Sequence, residues 1–241
     1  MVSQHTVHSF DDELRRLASD IARMGGLTEM LFSDAVSSLL TRDVDGAEEI
    51  IAHDKEIDEL EHQIEESSIQ IIARRAPMAV DLREIMAAVR IAADLERIGD
   101  LAKNIAKRTT ALGSEWPPDQ ITSQIRSMAN LAMKLISDAL DAYAGRDSDM
   151  ALAVRKADSE IDVLYTAVFK GLLQHISGGS VDVASTAHLL FCAKNIERAG
   201  DHATNIAENV FFIVTGALPA GERKKLDMSS ILDISGSLGR P

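Results

Sequence analysis

Cysteine, aromatic residues and long apolar runs are scarce in this chain of 241 residues. A single cysteine, Cys192, excludes an internal disulfide and a thiolate metal cage, and we expect it to be an ordinary core residue. Aromatic residues make up 4% of the chain and hydrophobic residues 46%, a composition typical of helical bundles. No apolar stretch approaches the roughly eighteen residues that a membrane span needs. The N-terminus also lacks the pattern of a signal peptide, so we expect a cytoplasmic protein.

Positively charged residues are also few: the chain has 25 Lys and Arg but 38 Asp and Glu, so its net charge is −13. Affinity for nucleic acid comes mainly from clustered Lys and Arg, so we expect no nucleic-acid binding. The sequence has no phosphate-cradling glycine loop, no nucleophile elbow and no duplicated Glu-x-x-His motif. Val163 stands where a second copy of Glu59 would lie, which weakens the alternative of a metal-storage or di-iron bundle. We therefore expect a protein that is not an enzyme.

A short acidic motif occurs twice, 101 residues apart. In both copies the sequence reads Glu-Arg-x-Gly-Asp followed by Asn-Ile-Ala, beginning at Glu96 and at Glu197. Earlier blocks recur at an offset of 104, for example the motif that begins at Asp54 and again at Asp158. Because the offset changes from 104 to 101, the two halves differ in length by three residues, and the difference falls near Pro77 in the first half. Differences in length of this kind are typical of loops. The chain is therefore two homologous halves.

Apolar residues recur at three- and four-residue spacing, which predicts an all-α fold. The pattern predicts six long helices: Asp11 to Leu40, Asp45 to Arg75, Asp81 to Thr109, and three that start near Gln120, Asp149 and Asp182. Short connections imply antiparallel neighbours, so each half should be a three-helix bundle. We assign residues 1–112 to the first repeat, 113–216 to the second and 217–241 to a C-terminal tail that we expect to be loose.

The repeated Glu and Asp lie four residues apart, which places them on one face of a helix. A second acidic pair at the same spacing lies on the preceding helix of each half. Carboxylates beside an apolar stripe need a partner, and a duplicated set suggests a metal ion. The candidate ligands are Glu96, Asp100, Glu197, Asp201, Asp54, Asp58, Asp158 and Asp162. Surface ion pairs would also account for the repeated carboxylates, as would a polar network where Gly99 and Gly200 allow close helix contact.

Oxygen ligands suit magnesium, manganese, calcium or oxidised iron, and zinc also accepts carboxylates, so the sequence does not choose the metal. Two histidines adjoin candidate ligands, but neighbours in sequence point to different sides of a helix. We expect both to lie at the surface; they are His53 and His202.

Two stretches resemble the signatures of the PhoU family of phosphate-uptake regulators. The first runs from Pro77 to Arg83 and from Ile91 to Ala106, and the second from Asn195 to Asn209. The resemblance spans both halves. It implies a duplicated three-helix bundle with an acidic motif in each half.

The resemblance also implies a function: negative regulation of the phosphate-starvation response and of phosphate uptake. Such a protein would be a cytoplasmic adaptor between the ATPase subunit of the phosphate ABC transporter and the phosphate-sensing histidine kinase. It would form a homodimer or higher oligomer and bind iron, zinc, manganese or magnesium. The implied ligands are Glu96 and Asp100 in one half and Glu197 and Asp201 in the other, followed by the four aspartates of the preceding helices. The halves differ where Asp94 becomes Asn195 and Lys103 becomes Thr204.

Overall fold

The computed structural model shows six α-helices. The structure describes residues 2–113, 116–178, 182–221, 223 and 225–229, with side chains from residue 9 onward. The helices are α1 (Val2–Thr41), α2 (Val44–Arg75), α3 (Val80–Thr109), α4 (Asp119–Gly145), α5 (Ser148–Ser177) and α6 (Val183–Thr215). These residues contain no strand, as the sequence predicted. No helix within these ranges combines the length and the apolar character that crossing a membrane requires.

Aspartates begin three of the helices, which explains why the predicted starts are accurate. The side chain of Asp43 accepts a hydrogen bond from the amide of Gly46 at the start of α2. Asp147 accepts from the amides of Asp149 and Met150 at the start of α5. Asp182 caps α6 in the same way. Each cap satisfies amide groups that have no partner within the helix and so fixes where the chain turns.

The first helix begins earlier than the sequence predicted, at Val2 rather than near Asp11. The added residues have no clear apolar period, which is why the pattern missed them. They also contain no proline or glycine. Extending an existing helix costs far less than starting one, so a segment without such breakers continues the helix.

The two halves pack side by side. In the first half α1, α2 and α3 contact one another, and in the second half α4, α5 and α6 do the same. The halves meet where α3 packs against α6 and α1 against α4. Both α3 and α6 are lined with buried alanines and isoleucines, so they form the centre of a continuous core. The lone thiol, Cys192, is fully buried in that core, and burial raises its pKa to about 12.

A polar contact joins the halves within this apolar interface. The carboxylate of Asp94 on α3 accepts a hydrogen bond of 3.0 Å from the Asn205 side-chain amide on α6. The Nδ1 atom of His202 lies 2.9 Å from the same carboxylate oxygen. The prediction that His202 lies at the surface is therefore wrong. Its counterpart in the first half is Leu101, so this contact has no symmetric copy.

Close helix packing depends on the glycine of each acidic motif. A Cβ atom at Gly200 would lie 2.8 Å from Cδ1 of Ile161, and one at Gly99 would lie 3.1 Å from Cδ1 of Ile57. Both isoleucines are buried in the core and have little room to move. The motif glycines therefore hold α6 against α5 and α3 against α2.

We expect Gly200→Val to lower the free energy of unfolding by about 1–3 kcal/mol, because the new side chain overpacks the α5–α6 contact. The matched control is Gly26→Val, since a Cβ atom at Gly26 would meet nothing within 4 Å. The control should change stability by less than about 0.5 kcal/mol. Urea denaturation followed by circular dichroism measures both. Equal effects would contradict the close-packing role.

We also expect Asp94→Ala to destabilise the chain by about 1–3 kcal/mol, because two partly buried donors on α6 lose their acceptor. Asp138→Ala is the control, since Asp138 pairs with Lys134 on an exposed helix face. Such pairs contribute less than about 0.5 kcal/mol. The same denaturation experiment compares the two variants. If Asp94→Ala lowered the free energy of unfolding no more than Asp138→Ala, the contact of Asp94 with α6 would not stabilise the packing of the two halves.

Candidate functional site

The predicted ligands of the first half lie between α2 and α3, where they form what we call the first acidic cluster: Asp54, Asp58, Glu96 and Asp100. A lysine joins two of them. The Nζ atom of Lys103 lies 2.6 Å from Oδ1 of Asp100 and also forms an ion pair with Oδ2 of Asp54. Asp54 is buried, with 4% of its surface exposed. The buried charge of Asp54 is therefore compensated from within the same half.

Another member of the first cluster, Glu96, is less deeply buried than Asp54, with 17% of its side chain exposed. Glu96 pairs with Nε of Arg97 at 3.4 Å. Burial raises the pKa of Glu96, and the negative charges of Asp100, Glu61 and Asp58 raise it further, whereas Arg97 opposes the shift. Acidic groups are thus concentrated enough around Glu96 to disfavour its ionised form.

The second acidic cluster lies between α5 and α6 and consists of Asp158, Asp162, Glu197 and Asp201. It is more deeply buried than the first: Asp158, Asp162 and Glu197 are 1%, 0% and 3% exposed. The ammonium of Lys225 approaches three of the four. Its Nζ lies 3.3 Å from Oδ2 of Asp158 and 3.9 Å from Oδ1 of Asp162, and it forms an ion pair with Asp201.

One ammonium of the second cluster, that of Lys225, comes from beyond α6 because α6 carries no lysine at the position that matches Lys103. The position that matches Lys103 is Thr204. Its single hydroxyl proton is shared between Oδ1 of Asp158, 3.2 Å away, and the carbonyl oxygen of Gly200, 3.1 Å away. A hydroxyl supplies hydrogen bonds but no charge. Lys225, beyond the end of α6, provides the missing positive charge.

Burial and charge have opposite effects on the ionisable groups of this cluster. Burial raises the pKa of Asp158 and of Glu197, although Lys225 acts against the first shift and Lys194 against the second. Burial alone would lower the pKa of Lys225, but its hydrogen bond to Asp201 and the surrounding carboxylates hold that pKa above its usual value. Lys194 lies 2.9 Å from Oε2 of Glu197. The cluster therefore favours a bound cation.

The buried oxygens of the second cluster face ammonium groups. Oδ2 of Asp158, Oδ1 of Asp162 and Oε2 of Glu197 are all inaccessible, and an ammonium lies near each: Lys225 at 3.3 Å and 3.9 Å from the first two, and Lys194 at 2.9 Å from the third. Their compensation is the ion pairing with the two lysines. Hard oxygen donors in this state fit a metal cation. In the described ranges, however, no group of three His, Cys, Asp or Glu side chains is arranged to hold a metal ion. The carboxylates of this cluster surround ammonium groups instead.

The segment that carries Lys225 is bound to the second half along its described length. The amide of Leu226 donates to Oδ2 of Asp162 at 2.8 Å, and the amide of Met228 donates to the hydroxyl of Thr166 at 3.1 Å. Nε of Arg223 lies 3.2 Å from Oε1 of Glu208. The expectation of a loose tail is therefore wrong for these residues. Residues 230–241 lie outside the described residues.

The sequence predicted the carboxylates of both clusters and allowed an ion pair with Lys103, but it did not indicate Lys194 or Lys225. Lys194 lies three residues from Glu197, so helical spacing could have revealed it. Lys225 lies in a stretch without periodicity, where no local signal indicates its partner.

The compensation in the first cluster leads to a prediction. Lys103→Met should lower the free energy of unfolding by about 2–4 kcal/mol, because it leaves the buried Asp54 carboxylate without a counter-charge. Asp54→Asn added to that variant should recover much of the loss, since a neutral amide is less costly to bury. A double-mutant cycle by urea denaturation measures the coupling. A coupling near zero would show that the two residues do not depend on each other.

Comparison with known proteins agrees with this architecture. The family model described as PhoU domain matches residues 21–109 and 125–210, which is one match in each half. The chain is 46% identical to a phosphate-specific transport system accessory protein PhoU homolog from Rhizobium meliloti, over 96% of this chain and 98% of the relative. It is 42% identical to the homolog of the same name from Caulobacter vibrioides, over 95% of this chain and all of the relative.

Solved structures give the same result. The crystal structure of PhoU from Pseudomonas aeruginosa superimposes with a TM-score of 0.83 at 34% identity, covering 86% of this chain and 100% of that one. The crystal structure of the phosphate transport system regulatory protein PhoU from Streptococcus pneumoniae gives a TM-score of 0.81 at 27% identity, covering 88% of this chain and 99% of that one. Matches in sequence and in fold cover both halves, and the chain belongs to the PhoU family.

Proposed function

We propose that this protein is a negative regulator of the phosphate-starvation response and of phosphate uptake, and that it is not an enzyme. It acts in the cytoplasm as an adaptor between the ATPase subunit of a phosphate ABC transporter and a phosphate-sensing histidine kinase. The observation that carries this proposal is the PhoU match in both halves, together with relatives named as accessory proteins of phosphate-specific transport. The chain works as a homodimer or higher oligomer.

The acidic clusters give the adaptor a second property, the binding of metal cations. Asp54, Asp58, Glu96 and Asp100 would hold a cation in the first half. The second half would use Asp158, Asp162, Glu197 and Asp201. Iron, zinc, manganese and magnesium are the candidates, since carboxylates accept all four. Three carboxylates of the second cluster converge on one positively charged group, the Lys225 ammonium, and this arrangement supports the cation-binding part of the proposal.

A bound cation would neutralise the carboxylates that face each other across two helices. The protein's own contribution is to hold those carboxylates in place through the packing at Gly99 and Gly200. The helices of each pair would then be cross-linked and the bundle stiffened. A stiffer bundle presents a better-defined surface to the two partner proteins, because less ordering is left to occur on binding.

The test removes one acidic pair from each half: Glu96→Ala, Asp100→Ala, Glu197→Ala and Asp201→Ala. The control removes four exposed carboxylates instead: Glu59→Ala, Glu65→Ala, Asp141→Ala and Glu160→Ala. Both are expressed in cells that lack their own copy of the regulator and carry a reporter of phosphate starvation. We expect the first variant to lose bound metal and most of the repression at high phosphate, and the control to keep both.

Metal content is measured on protein purified without chelator, with folding checked by circular dichroism. Capture of the purified transporter ATPase and kinase tests the adaptor role directly. If the site variant kept both metal and repression, the clusters would have no part in regulation. Catalytic oxidation of added ferrous iron by the wild-type protein would instead support a di-iron bundle.

A further inference from the structure

The chain beyond α6 folds back over the second acidic cluster. We call its described part, residues 218–221, 223 and 225–229, the C-terminal strap. At one end the guanidinium of Arg155 donates to the carbonyl oxygen of Gly221 at 2.6 Å. At the other end Lys194 pairs with Asp227 at 3.3 Å. Lys225 lies between these anchors, over the carboxylates. The strap therefore covers the space between α5 and α6 where those carboxylates meet.

The strap binds the cluster in the way a separate ligand would. It supplies one ammonium to three carboxylates and one backbone amide, that of Leu226, to Oδ2 of Asp162. Lys225 keeps 42% of its side chain exposed, whereas the Asp158 and Asp162 side chains are 2% and 0% exposed. The ammonium thus sits at the mouth of the site, above buried oxygens. A cation that entered from solvent would have to pass the same mouth.

Polar contacts rather than apolar burial hold the strap. Two of its three large apolar side chains are poorly covered, with Leu218 63% and Met228 49% exposed, and Leu226 is partly buried. Segments held mainly by exposed hydrogen bonds and ion pairs open at low free-energy cost compared with core helices. Their ion pairs also weaken as salt increases. The strap can therefore leave the cluster without disrupting the bundle when another cation takes the place of the Lys225 ammonium.

The two halves differ in this respect. Lys103 belongs to α3 itself, one turn from Asp100, so its ammonium stays with the first cluster while the helix is folded. The second cluster has Thr204 at that position, and the ammonium that faces Asp158, Asp162 and Asp201 comes from the strap, whereas Lys194 on α6 pairs with Glu197. Of these lysines, Lys225 is the one on a segment that can withdraw. Cation exchange is thus easier at the second cluster than at the first.

We propose that the C-terminal strap is an internal ligand of the second acidic cluster and competes there with a divalent cation. When the strap is in place, Lys225 occupies the cation position. When a divalent cation binds, the strap is released and the face of α5 and α6 beneath it is uncovered. This inference rests on the metal-binding part of the proposed function. The competition adds a quantitative consequence: the apparent affinity for the cation equals the intrinsic affinity multiplied by the fraction of molecules in which the strap is released.

Manganese(II) alone is the probe, titrated into the full-length protein and followed by calorimetry. Lys225→Met removes the ammonium and keeps a side chain of similar length. Lys134→Met is the control, because it removes an exposed lysine that pairs with Asp138 away from both clusters. We expect Lys225→Met to bind manganese at least tenfold more tightly than wild type and the control to match wild type. Adding Asp158→Asn to Lys225→Met should abolish the gain.

Trypsin cleavage after Arg223, followed by mass spectrometry, reports the strap itself. We expect slow cleavage of the wild-type protein without manganese and at least tenfold faster cleavage at saturating manganese. Equal manganese affinity in wild type and Lys225→Met would overturn the competition while leaving the metal site intact. Cleavage unchanged by bound manganese would also overturn it. No binding to any variant would overturn both the strap proposal and the metal-binding part of the proposed function.

Discussion

Carboxylates buried between packed helices require a compensating positive charge, and much of this structure is organised around that requirement. Removing a carboxylate from water costs several kcal/mol unless a cation or several hydrogen bonds replace the solvent. Asp54 and Asp158 occupy matching buried positions in the two halves and cannot be solvated where they are. The close contact of each helix pair at Gly99 and Gly200 creates this burial. The positive charges therefore have to come from residues that reach into the contact.

The two halves supply the compensating positive charge in different ways. The first half keeps a lysine on α3 and is electrostatically self-contained. The second half has a threonine at the same position and depends on the chain beyond α6. The contact between the halves is asymmetric too, because His202 and Asn205 of α6 both converge on Asp94 of α3. A symmetric fold thus carries two chemically different sites.

Local sequence was enough to predict the helices and most of the loops. Periodicity, the capping aspartates and the breakers near Pro77 are short-range signals, and the structure follows them closely except at the start of α1. The acidic clusters were predictable because side chains four residues apart lie on the same face of a helix. The partners of those carboxylates were harder to predict. Lys225 meets Asp158 only through a tertiary contact between segments far apart in sequence, and the same holds for His202 and Asp94.

The dependence of the buried carboxylates on a nearby ammonium can be tested by moving that ammonium from the chain beyond α6 onto α6 itself. Lys225→Met should destabilise the second half, and Thr204→Lys in that background should restore stability by placing a lysine where α3 carries Lys103. The free energy of unfolding of wild type, Lys225→Met and the double variant is measured by urea denaturation under chelating conditions. Recovery of at least half of the loss is the expected result. A double variant no more stable than Lys225→Met would show that burial of the carboxylates does not depend on a neighbouring ammonium.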